Sequence, residues 1–189
     1  MLYRWLFFIL FIGLIQWYSF QCIKTVSQNK YLWSFYIIIS FVITGNFIFQ
    51  VLNYDRSEGF THAVSYSLGF FISLFVFQSI IIMGLFFEDI IRIPQALYSF
   101  FSQGFHGEEF FPRRREFFSR IILGLASIPF GALLYGMYKG KYNYKVLSYE
   151  MEFDDLPESF DGFTLTHISD ILCGSFDNYE KVKYGIELI

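Results

Sequence analysis

The sequence predicts a multi-pass α-helical membrane region, residues 1–138, followed by the first strands and helix of an α/β domain, residues 139–189. The 189 residues are 54% hydrophobic and only 16% charged, whereas soluble domains are about 45–50% apolar and about 25% charged. Four long stretches carry no charged side chain. After Lys139 apolar and polar residues alternate, which is typical of a strand with one buried face. The first region therefore needs lipid as its main solvent.

Four segments are apolar enough to cross a bilayer, which requires about 20 residues. Trp5–Ile23, Tyr31–Leu52 and Ala63–Phe87 contain no charge. The fourth, Ile121–Tyr138, is the shortest and contains Pro129, which membrane helices tolerate when neighbouring groups satisfy the freed backbone. The first segment lacks a small-residue cleavage site, so we expect a retained span rather than a removed signal peptide.

Lysines and arginines in the flanking loops predict the orientation. Loops 24–30 and 88–120 together hold seven of these residues, whereas the N-terminus, loop 53–62 and the stretch after the fourth span hold five. The positive-inside rule places the richer side in the cytoplasm. We therefore expect a cell-membrane protein whose C-terminal domain lies on the extracytoplasmic side.

Residues 88–120 are expected to form an interfacial or cytoplasmic loop. Within it, Ile90–Phe101 has an apolar face interrupted by Pro94, which predicts a helix lying on the membrane surface. The run Arg113–Arg115 comes shortly before the fourth span, where basic residues anchor the cytoplasmic end in anionic lipid. Paired arginines before a moderately apolar helix also match a twin-arginine export signal. Both interpretations send the following residues out of the cytoplasm.

Polar residues inside the spans favour a structural role over a transport path. Asn46, Gln50 and Gln78 are predicted to form interhelical hydrogen bonds. The four predicted spans contain no Asp, Glu, Lys, Arg or His, and ionisable groups within spans are the usual mark of a transport path. A transporter or channel is therefore disfavoured.

The C-terminal region predicts two strands separated by a turn. Val146–Phe153 alternates with a period of two, and Phe163–Ser169 forms a second short strand. Asp154–Gly162 between them is rich in turn residues, including Pro157 and the pair Asp161-Gly162.

A helix is predicted to follow, because Asp177 and Glu180 have the spacing of a capping box. Its apolar stripe consists of Tyr179, Val182, Ile186 and Ile189. About 50 residues cannot bury both faces of a sheet without staples, so we expect the opening of a larger domain. This region holds five Lys against ten Asp and Glu, which argues against a nucleic-acid partner.

Cysteines and histidines give weak signals. Cys22 and Cys173 fit neither a zinc pattern nor a disulfide framework. His167 follows the phase of the second predicted strand and is expected to be a packed or edge residue. His62 and His106 are isolated in loops, so we expect no metal or haem role for them.

Asp170 is the candidate with the best position. It follows the second predicted strand, at the edge where α/β folds usually place their chemistry. A carboxylate there suits a metal ligand, although an isolated Asp in a loop is more often a turn former or a helix cap.

The run Phe153–Phe163, followed by Ile168–Gly174, resembles the start of a calcineurin-like metallophosphoesterase domain, in particular that of membrane-anchored bacterial members. Their first block reads Leu-Pro-x-x-Phe-x-Gly, then a strand, then Ser-Asp-x-His-x-Gly. The Arg-rich run and apolar helix upstream also resemble the export or anchor segment of some members, so the resemblance extends over about residues 113–189.

The resemblance implies a two-sheet α/β sandwich that holds two divalent metal ions (Mn, Fe, Zn or similar), which clamp a phosphate and supply a hydroxide for in-line attack. Asp170 matches one metal ligand. Leu172 occupies the family's His position and cannot bind a metal. The family's later motifs have no match in this chain, so we assign no catalytic residue and expect these residues alone neither to retain metals nor to hydrolyse phosphoesters.

Two functions remain open. The motif around Asp170 favours the membrane anchor of a metal-dependent phosphoesterase, in contact with lipid and acting on a phosphoester of unknown identity. Leu172 and the missing motifs favour a non-enzymatic multi-pass protein or a decayed phosphoesterase that acts as an assembly module. Natural loss, sequence error and deliberate change are three explanations of Leu172 that the sequence does not distinguish.

Overall fold

The computed structural model describes residues 2–55, 59, 61–103, 112–169 and 176–188. Five α-helices lie in this part of the chain: α1 Leu2–Val26, α2 Lys30–Leu52, α3 His62–Gln103, α4 Pro112–Tyr138 and α5 Tyr179–Glu187. Two single 3-10 turns, Gly140–Tyr142 and Glu158–Phe160, lie between α4 and α5.

Four of the helices are long and apolar enough to cross a membrane. These stretches are Trp5–Val26, Lys30–Leu52, His62–Ile90 and Arg115–Tyr138. Each contains one of the four predicted spans entirely, so the multi-pass helical fold class is confirmed. Helices α1 and α3 each pack against all three other spans, and the most extensive contact is that between α3 and α4.

A tight turn makes α1 and α2 antiparallel neighbours. Asn29 ends the turn with extended backbone and caps α2, since its side chain accepts a hydrogen bond from the Tyr31 amide at 2.9 Å. The Trp33 indole donates to the Ser27 carbonyl at 2.7 Å. These bonds satisfy a backbone amide and a backbone carbonyl that have no hydrogen-bond partner within either helix.

Glycines set the close approach of α3 and α4. A Cβ built on Gly84 would lie 2.6 Å from Cγ1 of Ile122, and one built on Gly69 would lie 2.5 Å from the Met137 sulfur. The residue number rises along α3 as it falls along α4, so the two helices are antiparallel. Small residues at such contacts let helix backbones approach closely in lipid.

The interior of the bundle is more polar than its exterior. Buried positions include Ser19, Ser40, Ser67, Ser73 and Gln78. By contrast, the outer surface of the bundle carries many large apolar side chains, including Phe7, Phe35, Phe41, Met83 and Ile128. This distribution is expected when the outer surface faces hydrocarbon and the inner surface must satisfy its own hydrogen bonds.

One buried hydroxyl joins three spans. The hydroxyl of Tyr36 on α2 lies 2.6 Å from Oγ of Ser19 on α1 and accepts from the Gln78 amide of α3 at 2.8 Å. A second interhelical bond runs from Asn46 to Ser67 at 3.1 Å. The predicted interhelical roles of Asn46 and Gln78 are therefore confirmed, and that of Gln50 stays a prediction.

The predicted helix over Ile90–Phe101 is continuous with the third span, because α3 runs through Pro94 to Gln103, and its position on the membrane surface stays a prediction. Pro94 removes one backbone donor and crowds the carbonyl four residues earlier, but the residues on both sides of it are helical. At 1.5 Å per residue the 42 residues of α3 extend about 63 Å, about twice the thickness of a hydrocarbon core.

The two predicted strands do not form in the described part of the chain, where no strand occurs. Val146–Phe153 and Phe163–Ser169 are exposed along their whole length. A strand depends on ladder hydrogen bonds to a neighbour, and the described residues offer neither segment a paired partner. The predicted turn is confirmed, since the Phe163 amide donates to the Phe160 carbonyl at 3.0 Å and Gly162 has φ +75°.

The contact at Gly84 predicts that Gly84→Ala destabilises the bundle by about 1–3 kcal/mol, the usual cost of overpacking. The added methyl must displace Ile122, whose Cγ1, Cδ1 and Cγ2 would all lie within 3.0 Å of it. Unfolding in mixed SDS micelles measures the change. Gly124→Ala on α4 is the control, because its Cβ meets no atom within 4 Å. Equal stability of the two variants contradicts the close packing.

The Tyr36 hydroxyl predicts that Tyr36→Phe destabilises the bundle by about 0.6–1.7 kcal/mol, the range for interhelical hydrogen bonds in membranes. The change leaves the Gln78 amide without its acceptor while preserving the aromatic ring. Tyr31→Phe is the control, because Tyr31 is 86% exposed. The same SDS titration should separate the variants, and a further Gln78→Leu change should cost less in the Tyr36→Phe background than in the wild type.

Candidate functional site

The residues singled out for metal binding lie outside the described part of the chain. This applies to Asp170 and Leu172, and also to Cys173 and His106. Within the described ranges no group of three or more His, Cys, Asp or Glu side chains could hold a metal ion. His62 and His167 are both exposed. The metal assignment of Asp170 therefore stays a prediction.

The structure instead brings together four side chains at one end of the bundle. Tyr66, Lys141, Tyr142 and Asp177 form this group, named here the Asp177 cluster. The cluster joins the segment before α5 to the membrane helices. Its acidic member, Asp177, lies seven residues after Asp170 in the sequence.

Helix α3, helix α4 and the 3-10 turn after α4 position the cluster. Tyr66 lies near the start of α3, and Lys141 with Tyr142 lies in the 3-10 turn that follows α4. Because α3 and α4 are antiparallel, the start of one and the end of the other meet at the same end of the bundle. The contact between Gly69 and Met137 fixes that register one turn further in.

Three side-chain donors lie around the carboxylate of Asp177. The hydroxyl of Tyr66 donates to Oδ2 and that of Tyr142 donates to Oδ1. Nζ of Lys141 lies 2.9 Å from Oδ2 and also donates to the Tyr66 hydroxyl at 2.8 Å. The backbone amide of Asp177 donates back to the Tyr142 oxygen at 3.1 Å.

These bonds shift both charged groups toward their ionised forms. Hydrogen bonds from Tyr142, then Tyr66, then Lys141 hold the pKa of Asp177 well below its usual range. Partial burial acts to lower the pKa of Lys141, but the bonds to Tyr66 and Asp177 outweigh it and the pKa is raised. The pair is therefore ionised at neutral pH.

Aromatic rings surround the ammonium groups of this end. Nζ of Lys141 lies 4.8 Å from the Tyr66 ring centroid, and Nζ of Lys181 lies 4.8 Å from that of Tyr142. Gly185 of α5 meets the Tyr144 ring so closely that a Cβ would lie 2.6 Å from it. The start of the C-terminal region is thus docked on the bundle.

The predicted helix start is wrong by one residue. The N-cap of α5 is Asn178, whose side chain accepts from the Lys181 amide at 3.1 Å, because the Asp177 carboxylate is already occupied by the tyrosines and Lys141. Along the predicted apolar stripe Val182 is half-buried, whereas Tyr179 and Ile186 are exposed.

The cluster is suited to docking rather than to chemistry. Both oxygens of Asp177 accept hydrogen bonds from tyrosine hydroxyls, and the positive charge of Lys141 lies 2.9 Å from Oδ2, which disfavours a metal ion at this carboxylate. Sequence reasoning missed the cluster because its partners are up to 111 positions apart. The one local signal, an acid just before a helix, had a simpler explanation as a cap.

Comparison with protein families identifies a family that matches most of the chain. A family model described as "Probable Calcineurin-like phosphoesterase, transmembrane domain" matches residues 3–141, which include all four spans and Lys141. No curated protein and no solved structure matches the chain.

The three donors to the Asp177 carboxylate predict that Asp177→Asn loosens α5. Amide hydrogen exchange in residues 179–187 should become about fivefold faster, corresponding to about 1 kcal/mol for a partly exposed ion pair. A carboxyl whose pKa is depressed on folding stabilises the fold above its unfolded pKa and loses that contribution as pH falls. Amide exchange at 179–187, corrected for its intrinsic pH dependence, should therefore also accelerate when the pH falls below 3.8, the pKa of Asp177 in the unfolded chain.

Asp154→Asn is the matched control for this experiment, because it removes the same charge from an exposed turn of the same region. Its exchange at 179–187 should match that of the wild type. Equal protection in Asp177→Asn and the wild type at pH 7 would show that the cluster does not hold α5.

Proposed function

The chain belongs to the family of transmembrane domains of probable calcineurin-like phosphoesterases, and from this premise we propose that it anchors a metal-dependent hydrolase of phosphoric esters to the membrane. The family match over residues 3–141 carries the proposal. Four helices apolar enough to span support the multi-pass membrane location. The proposed catalytic part is the region that begins after α4, on the extracytoplasmic side.

The motif after α4 supports a hydrolase rather than an unrelated soluble domain. The turn over Phe160–Phe163 falls within the block that resembles the start of the catalytic domain, and Asp170 is the proposed first metal ligand. The proposed α/β sandwich would supply the strand partners that Val146–Phe153 and Phe163–Ser169 lack in the described residues.

The metal chemistry does not fit the described residues. A binuclear site needs several convergent oxygen and nitrogen ligands, and the described ranges contain no group of three candidates. Leu172 offers only carbon where the family has a histidine. We therefore derive no catalytic step through a metal, and the role proposed for the described residues is attachment and positioning.

A second function rests on Leu172. In a decayed phosphoesterase we expect a side chain that cannot coordinate a metal at a ligand position. The helices of such a protein would act as an assembly module. The gene sequence after Ile189 discriminates the two functions. Downstream Gly-Asp-x-x-Asp and Gly-Asn-His-Glu motifs support the hydrolase, and an immediate stop codon supports the module.

The proposal predicts that the full-length gene product carrying Leu172→His releases p-nitrophenol from bis- or mono-p-nitrophenyl phosphate when Mn²⁺ is added. A further Asp170→Asn change should lower this rate by at least about 100-fold, since even outer-shell groups of metal sites cost about 10–100-fold. Residues 1–189 alone should show no hydrolysis.

Asp161→Asn is the control, because it removes an equal charge from the neighbouring turn and should leave the rate unchanged. Inactivity of the Leu172→His protein with Mn²⁺, Fe²⁺ and Zn²⁺ alike would overturn the hydrolase proposal. Rates insensitive to Asp170→Asn would show that Asp170 is not a metal ligand.

A further inference from the structure

Among the residues that the structure describes, three buried polar atoms lack hydrogen-bond partners at the end of the bundle opposite the Asp177 cluster. They are Oε2 of Glu88 on α3, and Nε of Arg115 and Oγ of Ser119 on α4. Glu88 is only 8% exposed and Ser119 is fully buried. Burying a carboxylate oxygen without a partner is costly, so this concentration of such atoms requires an explanation.

The three side chains extend the packed core toward the membrane surface. On α3, Glu88 continues the face of Ile81 and Leu85 by one turn, and on α4 Ser119 and Arg115 continue the face of Ile122. Because Gly84 meets Ile122 and the helices are antiparallel, Glu88 and Ser119 lie at the same level.

Helix α1 lies against the same group of side chains, beside α3 and α4. The Cys22 thiol donates to the Ser119 carbonyl at 3.6 Å, and the Tyr18 hydroxyl donates to Asp89 at 2.6 Å. Both Glu88 and Arg115 lie within electrostatic reach of Cys22 and of Tyr18. Glu88, Arg115 and Ser119 therefore converge between three helices, and together they are named here the Glu88 site.

The depth of the Glu88 site matches the headgroup layer. The apolar stretch of α3 ends at Ile90, two residues after Glu88, and that of α4 begins at Arg115. At the ends of spans, side chains meet phosphates and polar headgroups rather than acyl chains.

We propose that the Glu88 site binds the headgroup of a phosphatidylethanolamine, or the same ethanolamine phosphoester free in solution. A guanidinium and a hydroxyl are suitable donors to phosphate oxygens, and a carboxylate accepts from a primary ammonium. One basic and one acidic side chain on facing helices match the two opposite charges of this headgroup. The inference does not depend on hydrolytic activity.

The same chemistry excludes related headgroups. The quaternary ammonium of phosphatidylcholine has no N–H to donate to Oε2 of Glu88. Phosphatidylglycerol offers a phosphate to Arg115 but no cation to Glu88, whose buried negative charge then repels the lipid. The site should therefore prefer ethanolamine over both.

The test uses the chain purified in detergent and incubated with equal amounts of the three lipids, with retained lipid measured by native mass spectrometry. Phosphatidylethanolamine should be retained about tenfold over phosphatidylcholine, the effect expected of one charge-assisted hydrogen bond. Stepwise N-methylation of the headgroup should lower retention by the wild-type chain in order. Glu88→Gln should abolish the ethanolamine preference, and Arg115→Gln should reduce retention of all phospholipids.

Glu116→Gln is the matched control, because Glu116 neighbours Arg115 but pairs with Arg120 on the solvent side. It should retain the wild-type preference. Displacement of the bound lipid by O-phosphoethanolamine and not by inorganic phosphate supports the same headgroup chemistry with a soluble source. Equal retention of the three lipids, a preference for phosphatidylglycerol, or a preference that survives Glu88→Gln would overturn the proposal.

Discussion

The fold depends on one constraint: in lipid, contact between apolar helix surfaces contributes almost no hydrophobic free energy to helix association. The helices must therefore be held by hydrogen bonds and by close contact between small residues. Tyr36 shows the first device, since its hydroxyl meets Ser19 and Gln78 and so connects α2 to α1 and α3. Gly84 shows the second, because it lets Ile122 of α4 lie against the α3 backbone.

Both ends of the molecule depend on the register of α3 and α4. At one end this register brings Tyr66 to Lys141, which together receive Asp177. At the other end it places Glu88 at the level of Ser119. A slip of one helical turn is about 5.4 Å, which is enough to separate both sets of side chains. Packing in the middle of the membrane therefore decides which polar groups meet at its two surfaces.

Local signals made the spans and the turn predictable, whereas contacts distant in sequence were not. Uninterrupted apolar runs identify spans because the bilayer imposes a length, and Asp161-Gly162 identifies a turn because Gly162 adopts a positive φ. The role of Asp177 was missed because it depends on Tyr66 and Tyr142, which the sequence does not connect to it. The continuation of α3 beyond Pro94 was missed because a proline weakens a helix without always ending it.

The Asp177 cluster limits where a catalytic domain attached to this anchor can act. Asp170 precedes Asp177 by seven residues, and a fully extended chain of that length reaches at most about 25 Å. The docked Asp177 therefore keeps the proposed first metal ligand within that distance of the bundle end. If the attached domain is the proposed hydrolase, phosphoesters at the membrane surface would reach it at a far higher effective concentration than those in bulk solution. For the proposed hydrolase, this distance would favour a substrate carried by the membrane over a freely diffusing one.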